Sequence, residues 1–158
     1  RRHVIGEPDG LVADKFQAAL EHGLEAMLCV GETQAERESG RTFAVIARQL
    51  EALRRARPEH FSRVSVAYEP VWAIGTGLTA TPEIAQAAHE ECRRLAAAIL
   101  GGLAGAALPL LYGGSVKPAN AAVLLALPDV DGLLVGGASL SAHDFLPILN
   151  ATSTRSSS

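Results

Sequence analysis

A carboxylate stands where an apolar run gives way to a loop of mixed bulk and glycine, Ala67-Tyr68-Glu69-Pro70-Val71-Trp72-Ala73-Ile74-Gly75-Thr76-Gly77. A glutamate fixed at the end of a strand and roofed by Val71, Trp72 and Ile74 suits proton transfer, because such a cover sheds water that would destroy a reactive intermediate. A cover must also move. Pro70 stiffens one end, and Gly75 and Gly77 free the other or let backbone N–H groups approach an anion. Two more loops, Gly113-Gly114-Ser115 and Gly136-Gly137, offer backbone donors without side-chain obstruction, and Ala138-Ser139-Leu140 opens a short helical turn after the second. Together they read as a phosphate cradle, which requires no positive side chain. Each feature also has a plain reading: Glu69 as a solvated or capping carboxylate, the glycine pairs as turns, Ser115 as a helix cap. The shared position of the three loops, each after a strand, favours a site.

That position follows from the order of elements. Strand-length apolar runs at 26–30, 64–68, 109–112 and 132–135 lack polar alternation, as parallel strands covered on both faces do. Between them lie helix-like segments. Leu11, Val12, Phe16, Ala19 and Leu20 line one face of a helix over 9–22 that Gly23 ends, and 31–40 is a polar connection holding a short helical turn. Phe43, Ile46, Ala47, Leu50 and Leu53 carry helical spacing up to Pro58. Thr81 caps a long helix with Pro82 at its first position. Helices over 119–127 and 142–149 complete the pattern, which predicts an α/β protein of four βα units with its site in the loops after the strands. Residues 1–150 form this unit, and the Ser/Thr-rich stretch 151–158 reads as a disordered tail.

Bulk properties narrow the partners. The 158 residues are 48% hydrophobic with a formal net charge of −3, which gives no electrostatic reason to expect nucleic acid or an anionic membrane. No apolar stretch nears the length of a membrane span, and the expected location is cytoplasmic. The two cysteines, Cys29 and Cys92, read as packed thiols rather than a disulfide framework. His89-Glu90-Glu91-Cys92 is not expected to bind a metal, since Arg93 stands where a zinc helix needs its second histidine. Gly75-Thr76-Gly77-Leu78-Thr79-Ala80 matches a dinucleotide fingerprint only formally, because it begins well beyond the strand end, and no cofactor is expected. His22, His60, His89 and His143 read as surface or structural, and Glu32, Glu36, Arg37 and Glu38 as a solvated charged face, with buttressing of the site as the alternative.

Four motifs, Cys29-Val30-Gly31-Glu32-Thr33 with Glu36-Arg37-Glu38 following, the loop from Ala67 to Gly77, Leu111-Tyr112-Gly113-Gly114-Ser115-Val116, and Asp129 to Leu140, occur in the order and spacing of triosephosphate isomerases. The chain resembles the C-terminal half of that family over about residues 1–151, with Arg1-Arg2 similar to the end of its Gly-His-Ser-Glu-Arg-Arg segment. The resemblance implies half of a (β/α)8 TIM barrel. It makes Glu69 the catalytic base, Gly75, Ser115, Gly136 and Gly137 the donors to a substrate phosphate, and Pro70, Val71, Trp72, Ala73, Ile74, Gly75, Thr76 and Gly77 the lid. The implied substrate is a small triose phosphate, isomerised through an enediolate, and the implied complete enzyme is a homodimer. It further implies an ion pair of Arg93 with Asp129. Leu78 departs from the lysine often found in the family at that place. In the family a Glu base works with a neutral His electrophile under a closing loop, a division of roles the resemblance supplies. Neither the family's Asn-x-Lys lysine nor that histidine has a counterpart here: Lys15 and Lys117 lack the preceding Asn, and His3 is not the electrophile. The chain alone is expected to be inactive. A non-catalytic half-barrel that binds phosphate or assembles with a partner is the alternative.

Overall fold

The computed structural model describes residue 2 and residues 4–75 and 78–153. Expectations for Arg1, His3, Thr76, Gly77 and residues 154–158 lie outside them. Branched and apolar residues build the parallel strands β1 (Ala26–Val30), β2 (Val64–Tyr68), β3 (Leu110–Tyr112) and β4 (Gly132–Leu133), hydrogen-bonded in the order β1-β2-β3-β4. The register sets Val30 beside Tyr68, Tyr68 beside Tyr112, and Tyr112 beside Leu133. Four parallel strands with intervening helices form an α/β fold consistent with half of a TIM barrel, as the motifs imply.

The helices are α1 (Asp9–Glu21), α2 (Gln34–Glu38), α3 (Thr42–Leu50), α4 (Pro82–Leu100), α5 (Gly102–Ala107), α6 (Pro118–Leu125) and α7 (Ala142–Ser153). Gly23, at φ +79°, ends the first as expected, and the Thr81 hydroxyl accepts the Ile84 N–H at the start of α4. Thr33 and Glu36 close a capping box on α2, which is the helical turn expected after β1.

Several boundaries differ from the sequence reading, among them the end of α6, which stops at Leu125 rather than 127. α3 stops at Leu50 and tightens into a 3-10 turn, Glu51–Arg55, which still buries Leu53; Pro58 opens a second such turn, Pro58–Arg63, rather than closing the helix. β4 covers only Gly132–Leu133 of the expected 132–135, because its partner β3 ends at Tyr112, although Leu134 N–H still reaches the Tyr112 carbonyl at 2.9 Å. α7 runs into the stretch read as a tail, through Ser153, since Ile148 is buried and Ala151 packs on the core one turn later. Pro109, without an N–H, joins the sheet through its carbonyl alone, accepting from Val66.

Alternation along the strands separates two faces. Leu28, Val66, Leu110, Tyr68 and Tyr112 point into the helix layer and are buried with Ile46, Leu50, Ala88 and Cys92. Each Leu or Ile so covered contributes about 2 kcal/mol. The opposite face carries Met27, Cys29, Ala67 and Leu111, and both Met27 and Cys29 are exposed. Cys29 is therefore not the packed thiol expected, whereas Cys92 is.

Candidate active site

Glu69 leaves β2 on the open face. Its backbone is fixed on one side, where its N–H meets the Val30 carbonyl at 2.7 Å, and the neighbouring Tyr68 carbonyl accepts Gly113 N–H at 2.8 Å. Two glycines make room for it. A Cβ on Gly31 would lie 2.0 Å from the Glu69 carbonyl oxygen, and one on Gly113 would lie 2.5 Å from Glu69 Cγ. The side chain thus rests directly over the start of the loop that follows β3.

From there it faces a cavity of about 770 Å³ whose wall includes Gly75, Ser115, Gly136 and Gly137. All five residues expected to act on the substrate converge on this one space. Gly137–Leu140 is the expected helical turn, a 3-10 turn, with Ser139 folded back onto the Gly136 carbonyl. Lys117 and Asp144 also line the cavity. Ser115 does not cap α6, whose N-cap is Lys117; the Ser115 carbonyl instead accepts the Asn120 amide at 3.0 Å.

On its other side Glu69 meets Cys29 and a second cavity of about 790 Å³ against β1 and α1. Although the residue is exposed on this face, its thiol turns toward the Glu69 carboxylate; partial loss of water around the sulfur, then a hydrogen bond to that carboxylate and its negative charge, push the thiol up to about 12. A thiol so raised stays protonated at neutral pH and can donate to the carboxylate.

The described part of the lid begins as a 3-10 turn, Val71–Ala73, and continues through Ile74 and Gly75; Thr76 and Gly77 lie outside the described residues. Its bulkiest side chain is tethered. Trp72 Nε1–H donates to Glu32 at 2.8 Å, and the Arg37 guanidinium lies 4.2 Å above the indole centroid. Glu32 was expected on a solvated face but is fully buried, where it also accepts the Tyr68 hydroxyl at 3.1 Å and, through its carbonyl, Val71 N–H at 3.0 Å. Burial and the Glu32 charge push the Tyr68 phenol above its ordinary range. The missed signal was parity: Glu32 continues the alternation of Leu28 and Val30, so it points into the helix layer. Buried charge needs such partners. Farther along the loop, just before α4, the Tyr112 hydroxyl accepts Ala80 N–H at 3.4 Å.

Elsewhere the expectations divide. His22 and His143 are exposed, and His60 and His89 are buried. Arg93 lies 3.5 Å from Asp129 as implied, but its closer carboxylate is Asp131 at 2.7 Å, which also accepts Leu110 N–H and so braces the start of β3. Glu90 and Glu91 sit inside α4, away from any strand end where a nucleotide ribose would be met. Among the described residues no three His, Cys, Asp or Glu side chains gather as a metal centre would.

Comparison with known proteins joins this geometry to a family. Residues 1–152 match the family model described as triosephosphate isomerase. The chain is 56% identical over 149 residues to a protein of that name from Ralstonia nicotianae, covering 94% of this chain and 60% of the relative. It is 51% identical over 151 residues to one from Roseiflexus castenholzii, covering 95% of this chain and 59% of the relative. A third, from Paracidovorax citrulli, is 56% identical over 152 residues, covering 96% and 59%. The chain thus spans about 60% of the length of the relatives it matches.

Proposed function

The chain belongs to the triosephosphate isomerase family, and from that premise we propose that its cavity is the base and phosphate-binding half of a site interconverting dihydroxyacetone phosphate and glyceraldehyde 3-phosphate. The observation that carries this reading is the convergence of Glu69, Gly75, Ser115, Gly136 and Gly137 on one cavity. Glu69 takes a proton from the carbon beside the substrate carbonyl. The electron pair of that C–H bond becomes the carbon–carbon double bond of an enediolate as charge moves to the former carbonyl oxygen; that oxygen takes up a proton while the neighbouring hydroxyl gives one up to become the new carbonyl, and Glu69 returns its proton to the former carbonyl carbon. The Gly136 and Gly137 backbone and Ser115 hold the phosphate, and the lid from Pro70 to Gly77 excludes water while the enediolate exists.

An oxyanion needs donors, and the described residues around this cavity include no histidine. The chain by itself therefore binds phosphate without turnover. Joined to the part of the Ralstonia relative that it does not span, it is expected to isomerise glyceraldehyde 3-phosphate. A joined protein that folds and binds phosphate yet does not turn over would overturn the catalytic reading and leave the phosphate-binding half-barrel. The family setting carries two further proposals, a homodimer and a cytoplasmic location. A net charge of −3 gives no electrostatic reason to expect nucleic acid or an anionic membrane as a partner, and among the described residues no helix is long and apolar enough to cross a membrane.

A further inference from the structure

His89 lies on α4 beneath the lid, 1% exposed, and no step of proton transfer uses it. Its Nδ1 is 2.8 Å from the Ala85 carbonyl, and since a carbonyl only accepts, Nδ1 carries the proton. Nε2 makes no hydrogen bond among the described residues, though the Leu111 backbone is near enough to favour the charged ring; burial outweighs it and lowers the His89 pKa, so the imidazole is neutral.

A neutral ring here is a packing element, and what it packs against is specific. Its centroid is 5.7 Å from that of Tyr68, edge to face at 86°, and 6.1 Å from that of Tyr112, tilted by 38°. The tyrosines are 6.5 Å apart. Those two tyrosines hold two points of the loop after β2: Tyr68 through Glu32 holds Trp72 in the lid, and Tyr112 holds the backbone of Ala80, just beyond it. Neither ring can tilt without moving the face of His89, because interiors this dense repack in discrete steps.

We propose that His89 is a positioning residue that couples the tether on the lid at Trp72 to the tether beyond it at Ala80, so that the two respond together when an anion enters the cradle. The proposal rests on the reading of residues 70–77 as a lid. Trp72 is the only tryptophan of the chain, so its fluorescence reports the lid without interference.

The test is acrylamide quenching of Trp72 in the 158-residue chain, with and without inorganic phosphate. Phosphate is expected to reduce quenching in the unmodified chain. His89→Ala should raise the quenching constant about twofold without phosphate and abolish the phosphate response, and His89→Phe, which keeps a ring, should restore both. Should His89→Ala not fold, His89→Gln, which keeps volume and an amide donor but no ring face, carries the same expectation. Leu20→Ala, a buried truncation on α1, should leave Trp72 unchanged. If the His89 and Leu20 variants move Trp72 alike, or if loss of the ring changes nothing, the coupling is overturned while the lid reading stands. If the unmodified chain shows no phosphate response, the lid reading fails and the coupling with it.

Discussion

The loops after β2 and β4 end at the same cavity and are built in opposite ways. The first is bulky and tied down, with Trp72 held by Glu32 and Arg37 and Ala80 held by Tyr112. The second is nearly bare: a Cβ on Gly136 or Gly137 would meet nothing within 4 Å. Tethers made of side chains can be remade in a second position, so the loop after β2 suits movement. Backbone donors have no rotamers to lose and suit holding a charge in one place. Glu69 stands between the two, and its own position depends on bareness as well, because it occupies the space above Gly113.

Four substitutions break this contrast at different points, in descending order of effect. Glu69→Gln keeps the shape and removes the proposed base. In a protein joined to the missing part of a relative, turnover should fall about a thousandfold while phosphate affinity stays within about twofold, measured by steady-state kinetics and competitive inhibition. Gly113→Ala drives a methyl into Glu69 Cγ at 2.5 Å and should cost about a hundredfold in turnover by misplacing the carboxylate. Gly137→Ala adds a methyl where there is open space, so the melting temperature should not move, but phosphate affinity should weaken about tenfold as the cradle is obstructed. Glu32→Gln preserves the volume of the tether and loses its charge, which weakens the bonds from Tyr68 and Trp72 and should lower stability by about 1–2 kcal/mol in urea unfolding. A stability loss for Gly137→Ala larger than for Glu32→Gln would reverse the contrast.

Cys29 sharpens it further through pH. Its thiol is raised above the free value, so the protonated donor is fully present below the unfolded pKa, and its contribution is lost as pH rises toward about 12. Alkylation of Cys29 at pH 8 should be at least about tenfold slower than that of a free cysteine, because the thiolate is scarce, and Glu69→Gln should speed it.

The bare loop was the more legible of the two. Glycine pairs after apolar runs announce open backbone, and β1 and β2 fall at the residues their unalternating composition marked. Glu69 was legible for the same reason, as a charge ending such a run. The tethers were not, because a buried charge looks like a surface charge until its neighbours are known. Glu32 sits among Glu36, Arg37 and Glu38, and only its parity with Leu28 and Val30 separates it from them. The pairing of His89 with Tyr68 and Tyr112 joins residues of three elements and depends on the sheet register. The end of β4 and the extra turn of α7 were equally hidden, since both depend on which neighbours the chain provides.

The most direct measurement is the amide and indole nuclear magnetic resonance spectrum of the 158-residue chain as inorganic phosphate is added. Shifts of the Ser115, Gly136 and Gly137 amides together with the Trp72 indole N–H, saturating at a common phosphate concentration, are predicted for one cavity served by a fixed cradle and a tethered lid. Shifts confined to other residues, or a Trp72 indole indifferent to a cradle that fills, would contradict it.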